Sequence, residues 1–302
     1  MPDHHCKPRR SLHEAFSGGI NFIDTALKYG HGHSERLIGE VLRERSERIY
    51  IATKVPPRNG AWPAQGTVRE TFPSGHIRRC AELSLQNLQI DCLDVLLLHV
   101  WSSSWTHDHE WLDSLKELRR EGKIRYFGVS VNDHQPDSAL ELVRSRRIDA
   151  IQVIYNIFAR EAEANLFPLC QKRGVGLIVR APLDEGALTG QVTPETTFPK
   201  KDWRNFYFLG DRKVEVSRRV QALRPLLGEG AKSLAALALK FSLHHPAGST
   251  VIPGMRSVSH VRENLLACQE APLRPYVLDR LREHRWDKNF YPSRAPRPSR
   301  RG

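Results

Sequence analysis

Two neighbouring stretches decide the fold: Ile124-Arg-Tyr-Phe-Gly-Val-Ser130 and, twenty residues beyond it, Ala150-Ile-Gln-Val-Ile-Tyr155. Both are short, apolar and rich in β-branched or aromatic residues, and the segment between them, Pro136 to Arg146, carries apolar residues at helical spacing. A near-continuous apolar strand, a helix and a second such strand imply parallel pairing with both faces covered. The same unit recurs on either side. Further strands are predicted at Asn21–Asp24, Ile49–Lys54, Leu93–His99, Val175–Val179 and Ser249–Pro253, which makes seven. Helices are predicted at Ser34–Arg45, Ile77–Leu88, Trp111–Arg120, Ala162–Lys172, Val216–Leu227, Leu234–Leu243 and Val258–Ala267, with a possible first helix at Ser11–Ser17. A length of 302 residues suits one barrel or two ordinary domains. Uniform alternation with no break in composition favours the single (β/α) barrel.

Composition narrows the function classes. With 40% hydrophobic and 26% charged residues the chain can bury a sizeable core, which excludes disordered, collagen-like and coiled-coil readings. The densest apolar run, Val95–Trp101, is far short of the roughly 18 residues of a membrane span. Residues 1–10 lack the apolar stretch of an export signal, so a cytoplasmic protein is expected. Five scattered cysteines (Cys6, Cys80, Cys92, Cys170, Cys268) without a C-x-x-C pair suit reduced thiols. The net charge of +12 favours anionic partners, either nucleic acid or a phosphorylated cofactor. The basic clusters Lys7–Arg10 and Arg294–Arg301 have no interleaved aromatics and read as solvated tails, so neither nucleic acid nor membrane is an expected partner. The organisation expected is a remnant at 1–19, a barrel at 20–290 and a basic tail at 291–302.

In a parallel barrel all strands deliver their last residues to one rim. Here those residues are Asp24, Lys54, His99 and Ser130, with Tyr29 in the loop after Asp24. A Tyr with its ordinary pKa near 10 is a poor acid near neutrality, but a nearby ammonium stabilises its phenolate and a carboxylate holds the ammonium in place. Taken singly, each residue has a structural reading: an ion pair, a core histidine, a packed rim tyrosine. Taken together they form a proton-transfer set. Two insertions rich in Pro, Gly and Trp, Val55–Gly75 and Asp184–Asp211, follow strand ends, where barrel enzymes build substrate pockets. Trp62, Trp101 and Trp105 are candidates to line such a pocket, with core packing as the alternative. The stretch Asp202–Tyr207 reads equally as a lid or as loop packing. His31 with His33 and His107 with His109 lack further ligands nearby, so no metal site is expected.

Asp24 and Tyr29 in D-T-A-x-x-Y-G-x-G-x-S-E, Lys54 in I-A-T-K and His99 in L-L-L-H resemble the four catalytic positions of the aldo-keto reductase superfamily. Gly122–Ser130, Ile151-Gln152, Ala181-Pro-Leu183 with Gly186, and Val251–Arg256 resemble the same family, over about residues 19 to 270. The resemblance implies NADPH-dependent reduction of an aldehyde or ketone without metal or flavin. Tyr29 would protonate the carbonyl oxygen, Lys54 would assist Tyr29, Asp24 would anchor Lys54, and His99 would orient the carbonyl. It further implies cofactor contacts from Ser130 and Gln152 to the nicotinamide amide. The family's Asn after the Ser is Val131 here, with Asn132 next. Arg180 stands where many relatives place a stacking Tyr. Pro182, Leu183, Gly186, Gly254, Met255, Arg256, His260, Glu263 and Asn264 complete the implied cofactor set. Arg256 is expected to pair with a 2′-phosphate at a helix N-terminus, which favours NADP over NAD, although a surface salt bridge is its plain alternative. No G-x-G-x-x-G follows a strand, so a Rossmann site is unsupported. A cofactor-binding redox sensor with little turnover, like the potassium-channel β-subunits of the superfamily, is the alternative function. Eight strands close a TIM barrel and seven are countable, so the expectation is a (β/α)8 barrel lacking its first strand.

Overall fold

The computed structural model describes residues 6–286 and Lys288. Its seven strands are β1 (Phe22–Asp24), β2 (Tyr50–Val55), β3 (Leu93–Leu98), β4 (Ile124–Ser130), β5 (Ala150–Ile154), β6 (Gly176–Arg180) and β7 (Thr250–Ile252). They pair in chain order, every neighbour in parallel. Around them lie α1 (Cys6–Ser17), α2 (His33–Leu42), α3 (Val68–Thr71), α4 (Ser74–Leu88), α5 (Glu110–Arg120), α6 (Leu140–Arg144), α7 (Leu166–Arg173), α8 (Arg204–Tyr207), α9 (Arg212–Gln221), α10 (Leu234–His244), α11 (Val258–Gln269) and α12 (Pro275–Arg282). Among the described residues no helix is long and apolar enough to cross a membrane.

The strands form because their side chains are wanted on both faces. β3 and β5 are buried at every position. The inward set Ala52, Val95, Leu97, Ala150 and Ile178 makes a small interior cluster edged by Phe22 and Ile252, and the outward set joins the larger core under the helices. Gly128 on β4 is required by close approach, since a Cβ there would lie 1.7 Å from the Ala150 carbonyl oxygen.

β1 and β7 each pair with one neighbour only, so among the described residues the ring of strands is open between them. The ring of helices is not: α1 packs on both α2 and α11 across the open side. At the end of α1 a Cβ on Gly18 would fall 2.2 Å from Leu265 Cδ1 of α11. The result is the expected barrel, with seven of its eight strands among the described residues.

Three local expectations are corrected. The Lys7–Arg10 cluster is not a solvated tail: it lies in α1, where Arg9 bonds Glu40 of α2 at 3.0 Å and Glu44, just beyond that helix, at 2.5 Å. The helix expected through Leu227 ends at Gln221 and gives way to a 3₁₀ turn at Arg224–Leu226, because Pro225 has no N–H and disfavours a helical residue before it. Pro136–Arg146 splits in the same way into a 3₁₀ turn at Pro136–Ala139 and the short α6. α3, α8 and α12 were not anticipated; α3 carries a Thr67–Glu70 capping box inside the first insertion. The Arg294–Arg301 cluster lies outside the described residues.

Candidate active site

β1, β2, β3, β4 and β5 bring Asp24, Lys54, His99, Ser130 and Gln152 to the same barrel mouth, since each stands at or near the C-terminal end of its strand. The Lys54 side chain is fully buried and donates from Nζ to Asp24 Oδ2 at 2.5 Å and to the Thr25 carbonyl at 2.7 Å. A buried ammonium is tolerated only when paired and hydrogen-bonded, and both conditions are met here. Its Nζ lies 5.5 Å from the Tyr29 ring centre. Tyr29 is 46% exposed, with its ring beside the mouth.

His99 sits between two rings, 6.0 Å from Tyr29 and 4.7 Å from Trp62, edge to face with each. Burial pushes its pKa well below the ordinary value, and the charges of Lys54, Arg180 and Lys28 push it the same way. The imidazole is therefore neutral, and its Nδ1 finds no hydrogen-bond partner among the described residues.

One residue that sequence reasoning passed over holds the Tyr29 loop. Glu35, fully buried, accepts from Thr53 Oγ1 at 2.7 Å and Asn87 Nδ2 at 2.9 Å, tying the end of that loop to the residue next to Lys54. Its place in the quoted D-T-A motif was the available signal. Asp133 is a second such residue: Arg180 donates to Asp133 Oδ1 at 2.5 Å and to the Val131 carbonyl at 3.2 Å.

The remaining candidates fall into three groups. Trp62 borders the mouth, but Trp101 and Trp105 are corrected from pocket to core. Both are buried, stack edge to face on each other, and spend their indole N–H groups on the carbonyls of Ser138 and Gly66. Asn132 is turned to the first insertion and to Gln135, accepting from the Ala64 N–H at 3.3 Å and donating to Gln135 Oε1 at 3.1 Å. Gln152 donates to Asp24 Oδ1 at 2.7 Å, with its Oε1 3.5 Å from Ser130 Oγ.

Pro182, Leu183 and Gly186 lie in a turn whose backbone is left-handed at Ala181, Asp184, Glu185 and Gly186. Asp184 pins this turn, accepting from Tyr207 OH at 3.0 Å and Lys288 Nζ at 2.9 Å. Tyr207 belongs to the Asp202–Tyr207 stretch, which is thereby tied to the rim. Across the rim Gly254, Met255 and Arg256 lead into α11, capped by Ser257. Arg256 is exposed and makes no ion pair among the described residues, although its charge helps Arg204 hold the Asp202 carboxyl down at about 2. His260 and Glu263 are exposed on α11, and the buried Asn264 has an Nδ2 without a partner. An unpaired amide in a wall, an open guanidinium and a helix N-terminus on the same rim suit a phosphorylated nucleotide.

Known proteins resemble this chain along most of its length. It is 30% identical over 267 residues to an NADH-specific methylglyoxal reductase of Escherichia coli, covering 84% of this chain and 80% of that protein. It is also 30% identical over 286 residues to a probable voltage-gated potassium channel subunit beta of Arabidopsis thaliana, covering 88% and 83%. Its fold superposes on an aldo-keto reductase from Bacillus halodurans in the holo form, with TM-score 0.74, 28% identity and coverage of 95% and 90%. The family model described as the aldo/keto reductase family matches residues 7–285, and the chain belongs to that family.

Proposed function

We propose that the protein is an NADPH-dependent reductase of a small aldehyde or ketone, with Tyr29 as proton donor. The observation that carries this reading is the joined set at the mouth: a buried Lys54 held by Asp24, 5.5 Å from the ring of an exposed Tyr29, beside a neutral His99. A reduced nicotinamide, when bound, supplies the hydride. The chain's own residues handle the oxygen and its proton. Neutral His99 donates a hydrogen bond to the substrate carbonyl and fixes its direction. Tyr29 gives its phenolic proton to the oxygen as charge develops there, and the Lys54 ammonium stabilises the phenolate left behind. Asp24 keeps Lys54 on station. Trp62 packs edge to face on His99 and borders the site.

Arg256 supports NADPH over NADH, because an open guanidinium at a helix N-terminus pairs with a 2′-phosphate. The E. coli relative named NADH-specific makes the choice worth measuring. Steady-state reduction of a panel of carbonyls with each cofactor tests the proposal; NADPH should be preferred, and Tyr29→Phe should lose most turnover while still binding cofactor. A second reading, a cofactor-bound sensor with little turnover, is supported by the likeness to a channel β-subunit. Tight NADPH binding with no turnover on any carbonyl would establish that reading instead.

A further inference from the structure

The reductase reading gives Gln152 one task, contact with the cofactor's amide, but the structure gives its side chain another. Gln152 is buried on β5, and its Nε2 reaches across the mouth to Asp24 Oδ1 at 2.7 Å. The sense of that amide follows from its partner. An ionised carboxylate only accepts, so the NH₂ must face Asp24 and the Oε1 must face Ser130 Oγ, 3.5 Å away. The carboxylate is therefore divided, one oxygen to the Lys54 ammonium and the other to a neutral donor. It also stands on β1, which among the described residues has a single paired neighbour, β2. Gln152 is a second tether for Asp24, from the opposite side of the open ring.

We propose that Gln152 is a positioning residue for proton transfer: it holds Asp24 across the open barrel and so keeps Lys54 acting on Tyr29. This rests on the reductase reading. A donor on Oδ1 draws off part of the carboxylate's charge and leaves more of the ammonium's field for the Tyr29 phenolate. Without it, Asp24 either turns wholly to Lys54 and cancels more of that field, or shifts with its edge strand and draws Lys54 away from Tyr29. The other charged or titratable groups that bear on the mouth are His99, Arg180 and Lys28. The Gln152 Oε1 remains available to accept from a bound amide, so one side chain couples cofactor occupancy to the proton donor.

The test uses the full chain with NADPH and 4-nitrobenzaldehyde, comparing the parent with Gln152→Met, which is near-isosteric, and Gln152→Glu, which sets a second carboxylate beside Asp24. kcat at saturating cofactor is followed from about pH 6 to pH 10, and cofactor Kd is measured by fluorescence quenching. Gln152→Met should lower kcat about tenfold and move its alkaline limb to higher pH, with a smaller change in Kd; Gln152→Glu should lose more. A raised Kd with kcat and its alkaline limb unchanged would overturn the proposal and confine Gln152 to cofactor contact. Should the parent reduce no carbonyl, the functional reading falls, and the inference is judged by the 295 nm absorbance difference between parent and Tyr29→Phe as pH rises. An upward move of its midpoint in the Gln152→Met background supports the inference, and an unmoved midpoint sinks it.

Discussion

At the barrel mouth Lys54 and Gln152 are buried and joined to Asp24 by bonds of 2.5 and 2.7 Å, whereas on the rim proposed for the nucleotide Arg256, His260 and Glu263 stand exposed on a loop and a helix surface. The difference matches what the proposed function asks of each region. Proton transfer needs groups held to within a fraction of an ångström before substrate arrives, so they ride on strands whose ladders fix them. Nucleotide phosphates bring their own charge, and solvated side chains can close on them at modest cost. At Asp184 the rim does adopt the construction of the mouth, with a buried carboxylate shared by Lys288 and Tyr207.

The comparison is best broken at its strongest point. Lys54→Met should cut carbonyl reduction by about 10²–10⁴-fold. It should also cost about 3–5 kcal/mol of stability, because Asp24 loses its counter-charge. Urea unfolding beside steady-state rates measures both, and a stable, active variant would remove the mouth from the mechanism. Lys288→Met should cost a similar 3–5 kcal/mol by stranding Asp184, yet leave kcat within about twofold, since the pair touches the rim and not the mouth. Thermal melts and rates on the same sample separate those effects. Arg256→Ala should weaken NADPH about tenfold and NADH hardly at all, a loss that shrinks in high salt; equal losses for both cofactors would show that Arg256 does not meet the 2′-phosphate.

The pH experiment has the smallest reach. His99 titrates well below its ordinary value when folded, so the unfolded chain binds the proton first as pH falls. The stability that neutral His99 contributes is complete above about pH 6.5 and declines below it, by up to about 1.4 kcal/mol per pH unit. His76, His245 and His284 are lowered by burial too, so the quantity to measure is the difference in urea midpoint between parent and His99→Asn from pH 7.5 down to 5. That difference should narrow on acidification; a constant difference would show that His99 charges freely in the fold.

Much of the framework was legible beforehand, because a buried parallel strand must be apolar on both faces and so writes itself as an unbroken run, as in Leu93–Leu98. The residue that ends such a run is also legible, which is how Asp24, Lys54 and His99 could be assigned to one rim. The tryptophans were not: Trp101 and Trp105 follow a strand end as a pocket residue would, yet both are drawn into a packed aromatic cluster with Trp111. Nor was the Lys7–Arg10 cluster, whose charge suggested a tail until α2 and the turn after it supplied Glu40 and Glu44.

By itself, then, the sequence determined the order of strands, their parallel sense and the chemical kinds of group at their ends, since periodicity is a local property of the chain. The tertiary structure alone decided which of those groups meet. Gln152 and Asp24 are 128 residues apart and on strands that never pair, and their contact depends on how the whole sheet curves. That curvature, with α1 bridging the side where β1 and β7 do not join, is a sum over every strand register and helix contact, and no single stretch of sequence contains it.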